Sequence, residues 1–319
     1  LYDLLREHGP AGALCERVFR DRMQTITTHP AGESPKTILV FSPHPDDDVI
    51  SMGGTLIRLA EQGHAVHIAY MTSGNIAVFD HDARRMTDFV KGFNRFFGID
   101  EAQTEAACRK VLAFLDAKKP GQPDSPELLE IKKLIRETEA RSAALACGIP
   151  PERLHFMDLR FYRTGKVSKD PIHPQDVEDI AGLFRSLKPH QIYVAGELSD
   201  PHGTHRLCAE AIYEAVRRVR RASQEFEVWL YRGAWEEWEP HEIERAVPIG
   251  PEMLERKKLA IFRHQSQKDR AMFPGGTDRR EFWQRAEDRN RDTAQVYDAL
   301  GLPEYYAMEA FVRWEEDAR

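Results

Sequence analysis

Several features are missing from this sequence, and each absence removes a class of protein. No apolar run approaches the roughly 18 to 20 residues that cross a bilayer, and the N-terminus lacks a charged-then-apolar secretory pattern, so no membrane partner is expected. Positive charge is not in excess: 45 Lys+Arg stand against 52 Asp+Glu, a formal net charge of −7. Without a long basic stripe there is no electrostatic footprint for nucleic acid, and the cluster Arg217, Arg218, Arg220, Arg221 reads as a solvated helix end. The four cysteines, Cys15, Cys108, Cys147 and Cys208, form no C-x-x-C pair, which points to a reduced, cytoplasmic setting. Neither G-x-G-x-x-G nor G-x-x-x-x-G-K-[ST] occurs, which disfavours nucleotide binding; the missing G-x-S-x-G elbow disfavours a serine hydrolase. There are no internal repeats and no low-complexity tract.

What remains is a globular α/β pattern. At 319 residues, with 41% hydrophobic and 30% charged side chains, the chain can bury a large core. Residues 1–35 read as a helical lead-in closed by a polar Pro/Gly linker. Leu1 in place of Met suggests a piece of a longer protein. Thr37–Ser42 is a continuous β-branched apolar run ended by Pro43, the signature of a strand buried on both faces and hence of a parallel sheet. A helical stripe from about Asp48 to Gln62, then the strand Ala65–Tyr70, complete a right-handed βαβ unit. Further strands are expected at Leu154–Met157, Gln191–Ala195 and Glu225–Tyr231, with helices at Pro126–Cys147, Pro174–Leu187 and Leu207–Ala222 between them. The expected fold is a Rossmann-like, doubly wound, mostly parallel sheet over 36–319. It carries a helical insertion at about 75–125 and a helical C-terminal extension at about 250–319. Gly53 and Gly54 are read as permitting close helix–sheet packing, and Asp80-His81-Asp82 as a polar loop.

The chemistry concentrates after the first strand. Ser42-Pro-His-Pro-Asp-Asp-Asp48 places one imidazole and three carboxylates at a strand's C-terminal end, where open α/β sheets build their sites. His44 and Asp47, three apart on a turn, can converge on one cation and leave Asp46 aimed at a water on it. The plainer alternative is a solvated turn in which Asp47 or Asp48 caps the helix. A second cluster, Asp200-Pro-His-Gly-Thr-His205, follows another strand, so that His205 or His202 could complete a His/Asp/His set with an open position for water.

Through His44-Pro-Asp-Asp-Asp48 and His202-Gly-Thr-His205 the sequence resembles the PIG-L/LmbE-like N-acetylglucosaminyl deacetylases. The likeness extends over about residues 36–235, including Thr72-Ser73-Gly74 and the spacing of Arg136, Glu139 and Gly148. Residues 1–35 and Phe41–Gly54 are closer still to a subgroup in which this domain follows a glucosamine-6-phosphate-deaminase-like domain. The resemblance implies that His44, Asp47 and His205 bind the metal, zinc or alternatively ferrous iron. It also implies that Asp46 is the general base and His202 the electrophilic partner. Two positions depart from the family pattern: Asp48 where Glu is usual, and Thr204 where an Asp is usual, leaving Asp200 as the candidate to orient His202.

Candidate substrate contacts are Arg136, Asp158, Asn75 and Arg160, near strand ends or on an adjoining helix, with His264 as a further lining residue. The expected function is a metal-dependent amidohydrolase removing acetyl from an N-acetylglucosamine-type sugar. The alternatives are a metal hydrolase of another amide and a non-catalytic sugar- or metal-binding module. The expected partners are a small amino-sugar substrate, a homo-oligomeric copy and a fused or associated deaminase-like domain.

Overall fold

The computed structural model describes residues 2–27, 34–166, 168–196, 203–221, 225–233, 236–268 and 280–316. Seven strands form one sheet: β1 (Thr37–Ser42), β2 (Ala65–Tyr70), β3 (Leu154–Phe156), β4 (Gln191–Ala195), β5 (Glu227–Tyr231), β6 (Arg245–Ile249) and β7 (Ala307–Arg313), in the order β3-β2-β1-β4-β5-β7-β6. The first five pair in parallel, while β7 runs antiparallel to both β5 and β6. The order reverses between β1 and β4, and a crevice opens at such a switch point outside the carboxyl ends of the strands.

Alternation along the strands feeds two core layers. Ile38, Val40 and Ile68 pack with Leu56, Ile57 and Ala143 on one face, from α3 (Asp47–Glu61) and α6 (Pro126–Ala146). Leu39, Phe41 and Val194 meet Phe184 and Ile212 on the other, from α7 (Pro174–Leu187) and α8 (Thr204–Arg221). The start of α6 follows from local chemistry: Ser125 accepts a hydrogen bond from the Leu128 N–H at 3.3 Å, and Pro126 occupies the first helical position.

The lead-in helices α1 (Tyr2–His8) and α2 (Ala11–Thr25) end on the body of the molecule. Ile26 bridges Ala246, and Arg22 donates to the carbonyls of Pro240 and Ile243 at 2.6 and 2.8 Å. The insertion folds as α4 (Asp80–Phe97) and α5 (Glu101–Ala117), an antiparallel pair with its own small core of Val78, Ala83, Val111, Leu128 and Ile135. Asp80 to Asp82 open α4 and are no loop, because Lys118 and Lys132 both donate to the Asp80 carboxylate and fix the helix start. The outer face of α4 is apolar, with Phe89, Phe93, Phe96 and Phe97 exposed.

The C-terminal extension differs from the helical expectation. Besides α9 (Pro251–Ile261) and α10 (Phe282–Ala299) it supplies β7, which enters the sheet between β5 and β6. Glu309, in the middle of β7, explains how: it is fully buried and accepts from the N–H groups of Gly54 and Thr55, the Thr55 hydroxyl and Lys257 Nζ, at 2.6 to 3.0 Å. Those helix N–H groups are free because α3 is kinked at Met52 (φ −136°, ψ 27°). Gly54 allows the approach, since a Cβ there would lie 2.6 Å from Ile249 Cδ1. Among the described residues no helix is long and apolar enough to cross a membrane. Cys108, Cys147 and Cys208 are buried, Cys15 is exposed, and none is in a disulfide.

Candidate active site

The β1 carboxyl end and the start of α3 build the site. After Ser42 the chain turns at Pro43-His44-Pro45 and re-enters as helix at Asp47, with the Asp46 and Asp47 N–H groups both directed at the His44 carbonyl. The loop after β2 braces this turn: Thr72 donates through its N–H and its hydroxyl to the Pro43 carbonyl, at 3.1 and 2.7 Å. Neither Asp47 nor Asp48 caps the helix; both lie inside its first turn and are buried.

Asp47 is the centre of the donor set. Its Oδ2 accepts from the His44 N–H at 2.8 Å and stands 3.1 Å from His44 Nδ1 and 3.2 Å from His205 Nε2, which α8 brings from across the switch point. The two imidazole rings are 5.3 Å apart, and one ligand atom from each of His44, Asp47 and His205 lies within 4.8 Å of the others. Burial alone would raise the Asp47 carboxyl, but His205 and His44 outweigh it and hold the group far below its ordinary range. Two imidazoles and one ionised, buried carboxylate suit a borderline divalent cation, so this donor set fits the metal expected for the motif.

The flanking carboxylates have different partners. Asp46 is paired with Arg136 of α6, Oδ1 to Nη2 at 3.1 Å; burial pushes its pKa up, Arg136 opposes and Asp47 adds to the rise. Asp48 is fully buried, accepts from the Ser42 hydroxyl at 3.1 Å and the Tyr70 hydroxyl at 3.2 Å, and is pushed up to about 7, chiefly by burial. The shorter side chain at this position is thus met by Ser42 and Tyr70.

Arg136 is 1% exposed, with Nε and Nη1 unpartnered. Gly74, at φ +61°, lies directly over it: a Cβ there would be 3.0 Å from both Arg136 Nε and Pro45 Cδ. One turn along α6, Glu139 accepts from the N–H and hydroxyl of Ser266 at 2.8 and 2.7 Å, which clamps the turn after α9 onto the site. That clamp delivers His264, 3% exposed with neither ring nitrogen partnered; burial lowers its pKa well below the ordinary value, Arg136 adds to this and Asp47 opposes. A narrow recess runs past Asp46 and His264 towards Phe262 and Trp283.

The other expected substrate contacts are placed less directly. Asp158, at φ +45° after β3, faces Lys133 Nζ at 3.1 Å and Arg163 Nε at 3.6 Å. Arg160 is committed to Asp176 and Asp179 of α7, at 3.2 and 2.7 Å, and Asn75 donates to the Leu129 carbonyl at 3.3 Å. His202 and Asp200 lie outside the described residues. Glu139 entered the sequence reading only through its spacing with Arg136 and Gly148, and that spacing of three puts it on the Arg136 face of the helix. Tyr162, in Phe161-Tyr162, carried no signal in the sequence.

An open α/β sheet with a His-Asp-His donor set at its switch point, able to hold a metal, defines the class, an LmbE-like α/β fold. The chain belongs to the PIG-L family, described as GlcNAc-PI de-N-acetylase, which it matches over residues 39–216. It is 49% identical, across 98% of its length, to a glucosamine-6-phosphate deaminase-like protein of Bacteroides thetaiotaomicron. The match takes up 50% of that protein, so the chain spans about half the length of the curated relative. Among solved structures it is similar to the N,N'-diacetylchitobiose deacetylase of Pyrococcus horikoshii, with TM-score 0.55, 18% identity, and 96% and 93% of the two chains covered. GalB of Pseudomonas putida, a 4-carboxy-2-hydroxymuconate hydratase, is similar at TM-score 0.54 and 18% identity, covering 89% of this chain and 98% of its own. At such identities the likeness is one of fold.

Proposed function

We propose that the chain is a metal-dependent amidohydrolase that releases acetate from an N-acetylglucosamine-type sugar by cleaving a linear amide C–N bond. The observation that carries this reading is Asp46, a buried carboxylate outside the donor set, one residue before Asp47 and held by Arg136 at 3.1 Å. Metal binding alone needs no such group, which makes a non-catalytic sugar- or metal-binding module the weaker reading.

His44, Asp47 and His205 would hold the cation, zinc by the softness of two imidazoles and one carboxylate, with ferrous iron as the alternative. When bound, it supplies a water acidic enough to ionise near neutral pH and polarises the carbonyl it faces. Asp46 accepts the proton of the attacking water and passes it to the departing nitrogen. The new C–O bond forms, the C–N bond breaks, and acetate and a free amino sugar leave. Such a role is typically worth ~10²- to 10⁴-fold in rate. Burial, which raises the proton affinity of Asp46, favours it as a base, and Arg136 fixes its orientation. His202, steadied by Asp200, is the proposed donor to the developing oxyanion; loss of one such donor typically costs on the order of 10²- to 10³-fold. Arg136, Asp158 and His264 are the proposed sugar contacts. Arg160 and Asn75 would need to leave their present partners to join them. The relative's name supports a fused or associated deaminase-like domain, and the reduced cysteines fit a cytoplasmic setting. A homo-oligomer belongs to the same proposal.

Metal analysis of the purified wild type against His44→Ala, with acetate release measured for both and for Asp46→Asn, tests the reading. Near-stoichiometric metal is expected in the wild type and Asp46→Asn and not in His44→Ala, with acetate release from N-acetylglucosamine derivatives only in the wild type. A reconstituted wild type without metal would overturn the proposal. Metal without acetate release would move the substrate to another amide.

A further inference from the structure

We propose that Tyr162 is a substrate contact of this site, its phenol donating a hydrogen bond to an oxygen of the acylated amino sugar. The inference rests on the amidohydrolase reading and deepens it. Tyr162 closes the 3-10 turn Arg160–Tyr162 that follows Asp158. The turn is held rigidly from beneath, where the N–H groups of Arg160 and Phe161 donate to the buried Asp176 carboxylate at 2.9 and 3.3 Å. The ring is fixed on two sides. It meets the imidazole of His44 edge-on, centroids 6.1 Å apart at 69°, and Lys169 Nζ sits 4.3 Å from its centre.

The side chain is only 3% exposed, yet the described residues offer its hydroxyl no hydrogen bond. A buried ring whose hydroxyl has no partner among the described residues and is not sealed from solvent is open to an oxygen of a ligand. A ring needed for packing alone would be served by phenylalanine. After burial, the groups that act on this hydroxyl are Arg136, Cys208, Asp46 and Asp158, three of them assigned to the base and the sugar. Arg136 contributes two unpartnered nitrogens to the same region. A neutral donor on a ring packed against the proposed metal ligand His44 suits a hydroxyl oxygen of the sugar, and it brings no further charge among the carboxylates.

Tyr162→Phe tests this cleanly, since it keeps the ring against His44 and under Lys169 and removes one oxygen. In the zinc-loaded full chain, metal stoichiometry and melting temperature should match the wild type. Glucosamine affinity by calorimetry and kcat/KM for acetate release should each fall by about ten-fold. The loss should appear in KM and in glucosamine affinity alike, which puts the bond on a sugar hydroxyl that the amine product keeps. Tyr162→Phe within about two-fold of wild type in binding and turnover overturns the proposal. So does a variant that loses metal or melts early in step with its activity. A wild type that binds glucosamine but releases no acetate sinks the deacetylase reading alone and leaves Tyr162 to be judged by the calorimetry. One that does neither sinks both.

Discussion

Arg136 reaches Asp46 with one nitrogen and is otherwise enclosed, so its charge is held in the interior by a single carboxylate contact and by Glu139 nearby. Removing one member of a buried pair is costly because the other charge stays behind without compensation. Arg136→Met should therefore lower unfolding stability by roughly 3 to 5 kcal/mol, as read by urea titration. Acetate release should drop as well, while zinc stoichiometry holds, because Arg136 touches none of the three donor residues. Arg136→Lys should recover part of the stability and little of the rate, since an ammonium keeps the charge but loses the planar fork. Equal urea midpoints for Arg136→Met and wild type would show that the pair is not the partner of a buried charge.

At the scale of elements, the kink of α3 is tied to the C-terminal extension through Glu309, and Lys257 of α9 neutralises that carboxylate at 2.8 Å. Lys257 also donates to Asn290 of α10 at 2.7 Å, so one ammonium joins α9, α10 and β7 beneath the helix that carries Asp47. Lys257→Met should cost on the order of 3 to 5 kcal/mol, and in denaturant α3, α9, α10 and β7 should lose structure together. Independent melting of the extension, followed by hydrogen exchange, would contradict that coupling. The edge pair β2–β3 carries a pH signature of its own. His67 Nδ1 and His155 Nε2 are 3.1 Å apart with stacked rings. Burial, then His155 and Arg153, pull His67 down to about 4 from its usual 6.5, and burial lowers His155. The unfolded chain takes up the His67 proton near 6.5 and the folded chain only near 4, and His155 shifts in the same direction. The His67 contribution to stability is therefore complete above pH 6.5 and lost as pH falls towards 4. The urea midpoint should fall across this window, and His67→Gln should flatten part of the slope; identical slopes would rule the pair out as its source.

For the whole molecule, the family match at 39–216 stops short of much that the sheet needs. β5, β6, β7, α9 and α10 all lie beyond it, as do His264, the Ser266 clamp on Glu139 and the Glu309 bonds to the α3 kink. A chain cut after Gly233 would leave Trp229, Leu230 and Tyr231 of β5 without the partner β7 and the N–H groups of Gly54 and Thr55 without an acceptor. Such a piece should aggregate or unfold without cooperativity, and circular dichroism with denaturant reports which. A cooperative, zinc-binding truncated chain would show that the extension only decorates the fold.

The doubly wound sheet was legible because β1, β2, β4 and β5 are short apolar runs, and a run buried on both faces leaves a period-free hydrophobic signature. The first half of the donor set was equally legible, since His44 and Asp47 are three apart on one turn and local geometry alone brings them together. The last two strands were not. Arg245–Ile249 contains Pro248, which lacks a donor and is tolerated only because β6 lies at the sheet edge. Ala307–Arg313 has a glutamate at its centre, a residue that belongs in a buried strand only where Lys257, Gly54 and Thr55 satisfy it. Spacing left both His202 and His205 open as the third donor; the turn of α8 sets His205 Nε2 3.2 Å from Asp47, while His202 lies outside the described residues. Contacts between neighbours in the chain, its strands and the His44–Asp47 donor pair, were written in the residues themselves. Which distant groups would share one low-dielectric space, Arg136 with Asp46, Glu139 with Ser266, Tyr162 with His44, was decided by the closing of the sheet, because only packing brings such charges and hydroxyls within reach of one another.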